Sequence, residues 1–152
     1  MGRFLTFTLF AISTLAITKF AVAHCQVPCG VYGDQRRFET MLEDTETIAK
    51  AITQINELAS KSDALAKNQL TRWVNTKEDH ASNTQKIIAE YFMTQRIKPG
   101  SEGYVKKLAS AHAIMVAAMK CKQTVDPASA KALQQSIYAF YEAYEGKKPN
   151  FE

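Results

Sequence analysis

Apolar residues recur at three- and four-residue steps over most of the chain, the period of helices with one buried face. The first stripe is Phe38, Met41, Leu42, Thr45, Ile48, Ala49, Ile52, Ile55 and Leu58, and it predicts a helix over 34–60 with Asp34 as its cap. Lys61-Ser62-Asp63 interrupts it, and Ser62 or Asp63 can cap the next element. The second stripe, over 63–95, reads Leu70, Trp73, Val74, Lys77, His80, Ala81, Thr84, Ile87, Ile88 and Tyr91. Lys77 and His80 are polar positions on or beside its apolar face, and Asn75-Thr76 is a possible break.

Lys98-Pro99-Gly100-Ser101 is a stop and restart. A third helix over 102–123 presents Val105, Leu108, Ala109, His112, Met115, Val116 and Met119. Asp126-Pro127 supplies an N-cap followed by proline at the first helical position. The fourth helix carries Ala130, Leu133, Ile137, Phe140, Tyr141 and Tyr144, and Gly146 can end it. Four amphipathic helices with short connections predict an all-α, up-down-up-down four-helix bundle over 34–146. On this reading Trp73 is a core anchor, and His112 packs in the core beside Met115 and Met119 rather than binding copper.

Residues 1–23 have a different pattern. Arg3 is followed by a mostly apolar run from Phe4 to Ile17, and Ala21-Val22-Ala23 has the small-x-small form of a cleavage site. Lys19 interrupts the segment, and the apolar run is short for a membrane span. The segment reads as an export signal, with a membrane anchor as the alternative. Cleavage would leave a mature domain of residues 24–152 with His24 as its first residue. The expected compartment is periplasmic or extracellular, or an organelle if the source is eukaryotic. A processing protease is then a required partner, and nothing holds the cut chain in a membrane.

Composition narrows the picture. The chain has 152 residues and no internal repeat, which favours one core. Removing the signal, whose only charges are Arg3 and Lys19, lowers the formal charge from +4 to +2. No basic stripe with interleaved aromatic residues marks a nucleic-acid surface.

The concentrated chemistry lies at His24-Cys25-Gln26-Val27-Pro28-Cys29-Gly30-Val31-Tyr32. As a free N-terminus, His24 offers an α-amine and an imidazole. The amine and the Cys25 amide nitrogen make a five-membered chelate ring, and the Cys25 thiolate closes a second ring. Cys29 can fold back to the remaining position, across a turn restricted by Pro28 and released by Gly30. A planar set of two nitrogens and two sulfurs suits nickel(II) or copper(II) better than tetrahedral zinc. Thiolate and amidate donors ease access to a trivalent state, as a one-electron redox centre needs. The alternative is a Cys25–Cys29 disulfide in an exported protein, with Cys121 a buried or partly buried thiol.

His24 through Tyr32, directly after a processing site, resembles the nickel hook of the nickel superoxide dismutases. A weaker likeness continues through Arg37-Phe38-Glu39 and Tyr91-Phe92. The resemblance implies disproportionation of superoxide to dioxygen and hydrogen peroxide by one nickel ion per subunit, alternating between divalent and trivalent states. It implies that His24, Cys25 and Cys29 are the metal ligands, with the His24 imidazole axial in the oxidised state. It also implies that Tyr32 lines the substrate approach and that six copies form a homohexamer.

Glu39 matches the glutamate that supports the axial imidazole, although the hook-to-helix connection is one residue shorter than the family pattern. His80 stands where the family has an arginine near that glutamate, and it can equally be a histidine satisfied at a helix interface. Tyr91 matches a second tyrosine near the metal, with a core aromatic as the alternative. Bulk water, Tyr32 and a protonated thiolate are the candidate proton donors. Two other functions fit the motif: an exported nickel or copper carrier without turnover, and an exported helical interaction protein with an N-terminal disulfide.

Overall fold

In the computed structural model, residues 33–151 are described, and they form four helices with no strand among them. The first, α1, is Asp34–Leu58, and α2 is Ala64–Lys86. The latter continues without a break into a π-helix over Ile87–Arg96. Helix α3 is Tyr104–Gln123 and α4 is Pro127–Glu145. The helices pack in a ring, α1 on α2, α2 on α3, α3 on α4 and α4 on α1. Long-range bonds show that neighbours run antiparallel. Tyr144, near the end of α4, reaches Asp34 at the start of α1, while Asn56 near the end of α1 reaches the Val125 carbonyl just before α4. This is the expected up-down-up-down bundle.

Local chemistry explains most boundaries. Asp63 caps α2, its carboxylate accepting from the Ala66 N–H at 2.9 Å. Asp126 caps α4 in the same way through Ala128 N–H, with Pro127 next. Gly146 ends α4 with φ 72°, a left-handed conformation that glycine adopts without strain. Asn75-Thr76 does not interrupt α2.

The α1 and α4 stripes face inward almost as expected. Phe38, Met41, Ile48 and Ile52 meet Leu133, Ile137 and Phe140, all fully buried. One end of the core is a cluster of rings. The Phe38 centroid lies 4.9 Å from Phe92, 5.4 Å from Phe140 and 4.9 Å from Tyr141. Phe92, Phe140 and Tyr144 also contact one another there.

Helix α3 departs from expectation. Its buried residues are Ala111, Ile114, Ala117, Ala118 and Cys121. Val105, Ala109, His112 and Met119 face outward, with Val105 76% and Met119 41% exposed. His112 is therefore not a core histidine. The physical reason is that α3 is apolar on more than one side, so periodicity alone does not choose its inner face. Ala111, Ala117 and Ala118 are on the buried side with Ile114 and Cys121, and the larger Val105 and Met119 side chains remain outside. Trp73 is also corrected: it is half-buried beside the bundle, with Lys50 Nζ 6.0 Å from its ring centroid.

Lys77 is buried, and its position explains why a lysine sits on an apolar face. Its Nζ donates to the Cys121 and Lys122 carbonyls at 2.7 and 2.6 Å and lies 3.2 Å from Glu78 Oε1. It thereby satisfies the carbonyl groups left open at the end of α3 and places a cation at the negative end of that helix. Cys121 beside it is a fully buried thiol.

Candidate metal centre

The expected ligands His24, Cys25 and Cys29, together with Tyr32, lie outside the described residues. Among the described residues no group of three or more His, Cys, Asp or Glu side chains could hold a metal ion. The bundle therefore offers no rival donor set of that kind, and its contribution is the support around the point where the hook joins it.

That junction is built on Asp34. Sequence reasoning took this residue as a helix cap, but Gly33 holds the cap position and makes no side-chain capping bond. The Asp34 carboxylate is turned to other helices. Its Oδ1 accepts from the Tyr91 hydroxyl at 2.6 Å and lies 2.9 Å from Arg96 Nε. Its Oδ2 accepts from the Tyr144 hydroxyl at 2.7 Å. Arg96 also donates from Nε and Nη2 to the Tyr91 oxygen at 3.2 and 2.9 Å. Two phenols and a guanidinium take up the carboxylate, which stands one residue past the cap position.

The π-helix makes this arrangement possible. Five residues along an α-helix turn the chain through about 500°, which points residues i and i+5 well apart. The wider winding shows in the Ile97 N–H to Phe92 carbonyl bond at 2.8 Å and brings residues five apart onto one face. Arg96 thus stands over Tyr91, its Cζ 5.1 Å from the ring centroid, with Arg37 Cζ at 5.2 Å. The same winding buries the adjacent pairs Ile87-Ile88 and Tyr91-Phe92. Burial and the neighbouring Asp34 carboxylate raise the pKa of both Tyr91 and Tyr144. Both phenols are held neutral as donors.

The other two residues singled out on the bundle lie apart from each other. Glu39 is half-buried on α1, where Oε1 accepts from Gln35 Nε2 at 3.2 Å. It borders an open depression of about 250 Å³ that also includes Gln134 and Tyr138 of α4. His80 meets Asp44 instead, with Nδ1 2.7 Å from Oδ1. Asp44 is buried, and its Oδ2 accepts from Asn83 at 2.8 Å and Thr84 at 3.2 Å. Asp44 is five residues beyond Glu39, hence on a different side of α1 that faces α2. Sequence reasoning missed Asp44, Arg96 and the role of Asp34. An acidic residue within the α1 stripe was the one available signal, at Asp44.

The sequence profile of nickel-containing superoxide dismutases matches residues 19–148. The chain belongs to that family. The match spans the hook and nearly all of the bundle. The same comparison with curated proteins and with solved structures returns no significant match.

The nickel superoxide dismutase is thus an oxidoreductase whose cofactor is nickel. The donor chemistry of the chain fits this metal. One imidazole and two cysteine sulfurs are within a six-residue stretch, His24 to Cys29, and soft sulfur with nitrogen donors would suit nickel(II). Cys121, the remaining cysteine, lies in the core and is committed to packing.

Proposed function

We propose that the enzyme becomes active only when the chain is cut between Ala23 and His24 after export. The observation that carries this reading is the coincidence of the small-x-small site with a hook whose first donor is an N-terminal amine. Before the cut, that nitrogen is an amide and a poor donor. After it, the His24 amine and imidazole, the Cys25 amide nitrogen and the Cys25 and Cys29 thiolates would hold nickel. The bound metal supplies one-electron oxidation and reduction of superoxide. Tyr32 orders small molecules on the approach.

Glu39 supports the His24 imidazole by accepting its ring N–H. Its place on the first turns of α1, with one oxygen held only by Gln35, supports this reading. His80 is turned to Asp44, its Nδ1 2.7 Å from Oδ1, and not to Glu39. Tyr91 acts through the packing and bonds that hold the hook end of the bundle.

We also infer a homohexamer. The outward line Val105, Ala109, His112, Val116 and Met119 on α3 has helix spacing and gives neighbouring copies an apolar surface to cover. Sedimentation of the processed enzyme tests this, and a monomer would refute it.

The decisive experiment compares the processed enzyme with a form carrying one extra residue before His24, both loaded with nickel. The processed form is expected to consume superoxide catalytically and the extended form to lose that activity. Equal activity would refute the role of the amine. Stoichiometric nickel without turnover would instead identify a carrier, and a stable disulfide without nickel would identify an interaction protein.

A further inference from the structure

One carboxylate at the root of the hook is gripped by side chains from two distant parts of the chain. Tyr91 and Arg96 come from the π-helix and Tyr144 from the last turn of α4, and between them they occupy both oxygens of Asp34. We infer that Asp34, Tyr91, Arg96 and Tyr144 form an anchor that fixes where the hook leaves the bundle, and that they are positioning residues for the nickel centre. The inference rests on the hook reading above and goes beyond the ligand set to the device that holds it in place.

Three observations carry it. First, the grip is saturated. Tyr91 and Arg96 hold Oδ1 at 2.6 and 2.9 Å and Tyr144 holds Oδ2 at 2.7 Å, so the carboxylate cannot rotate without breaking a charge-assisted bond. Second, the grip displaces the ordinary use of the residue. An aspartate at a helix start normally serves the free N–H groups of the first turn, and here those groups receive no side-chain cap. Third, the lever is short. Only Gly33 separates Asp34 from Tyr32, and two residues span at most about 7 Å. The anchored residue therefore sets, to within that reach, where the last residue of the hook can stand. The two phenols are packed into the bundle, since Tyr91 is 3% exposed and Tyr144 stands against Phe92 at 5.3 Å.

The same carboxylate could be read as a tertiary bond that stabilises the bundle and nothing more. The two roles separate experimentally, because a structural bond affects unfolding and an anchor also affects the metal. Processed, nickel-loaded enzyme is compared with Asp34→Asn, Arg96→Met and Tyr144→Phe. Tyr144→Phe removes one hydroxyl and keeps the ring, so it tests the anchor even if Asp34→Asn does not fold. Lys77→Met serves as the control. It removes two buried tertiary bonds roughly 20 Å along the helix from Tyr91, by helical rise, and bonds none of the four anchor residues.

The readouts are the rate of nickel loss to a chelator, the EPR line shape of the oxidised metal, kcat against KM, and the urea midpoint. The anchor variants are expected to lose nickel about tenfold faster than wild type, the lower end of what loss of a ligand-orienting group costs, and to broaden the EPR signal. Lys77→Met is expected to lower the urea midpoint with nickel retention and EPR signal unchanged. The anchor is overturned if its variants lower the midpoint while keeping wild-type nickel retention and line shape. It is also overturned if Lys77→Met loses nickel as fast as they do. A processed wild type that holds no nickel overturns the hook reading itself, and the anchor with it.

Discussion

Replacing Asp44 should cost less stability than replacing the histidine it holds. The Asp44 side chain is 5% exposed and that of His80 is 38% exposed. Asp44→Leu removes a carboxylate whose burial carries a desolvation cost of several kcal/mol. Of its three donors, His80 and Asn83 reach solvent and can bond water instead. Only Thr84, fully buried, loses its partner without access to water. Its hydroxyl can turn to the carbonyl four residues back, as Thr45 does to Met41 at 2.8 Å. The net cost is expected to be no more than about 1.5 kcal/mol.

His80→Leu has the opposite balance. It leaves the carboxylate buried and removes its shortest bond, the 2.7 Å contact of Oδ1 to Nδ1, while Asn83 at 2.8 Å and Thr84 at 3.2 Å stay on Oδ2. A hydrogen bond to a charged group contributes about 1.5–3 kcal/mol, so His80→Leu should be the more damaging change. Urea unfolding at fixed protein and nickel concentration, followed by helical circular dichroism, measures both. With a slope of about 1–3 kcal/mol per molar, a difference of this size separates the midpoints by a few tenths of a molar or more. The Asp44→Leu/His80→Leu double variant should be more stable than His80→Leu alone, since it removes the buried carboxylate that has lost its bond to His80. The reasoning fails if Asp44→Leu is as damaging as His80→Leu, or if the two costs simply add.

Alkaline pH should weaken the hook end first. The folded-state pKa values of Tyr91 and Tyr144 are raised above the ordinary 10.0, so the stability they contribute is complete below 10.0 and is lost as pH rises from there through the raised folded-state values. Tyr144→Phe should flatten the fall in stability above about pH 10, and an unchanged slope would count against the bonds to Asp34. Burial raises the pKa of the Cys121 thiol, so in the folded, nickel-free enzyme the alkylating reagent should label Cys25 and Cys29 well before Cys121. Mass spectrometry of the labelled peptides decides this, and early labelling of Cys121 would contradict its place in the core. Removing nickel with a chelator should abolish superoxide consumption while leaving the helical signal, because residues 33–151 close their own core without a metal. Collapse of the helical signal on chelation would refute that independence.

The elements most legible in the sequence are those whose signal is local. Asp63, Asp126-Pro127 and Gly146 mark helix ends through bonds made within a few residues, and each does so in the folded protein. Helices α1 and α4 each have one continuous apolar side, so their inner faces follow from periodicity. The hook motif is equally local, nine consecutive residues within the span that the family profile matches. Together these determine the helical bundle, the metal chemistry and the family.

What only the tertiary structure decided depends on partners far away in the chain. Helix α3 is apolar on several sides, and the close approach of its alanines to neighbouring helices chose which side went in, leaving Val105, His112 and Met119 outside. The π winding over Ile87–Arg96 follows from packing Tyr91 and Phe92 together into the ring cluster, and no residue there announces it. Asp34 reads locally as a cap, yet its carboxylate accepts from Tyr91 and Tyr144, which stand 57 and 110 residues away. Those hydroxyls reach it only once the helices are packed, and nothing in the neighbourhood of Asp34 encodes them.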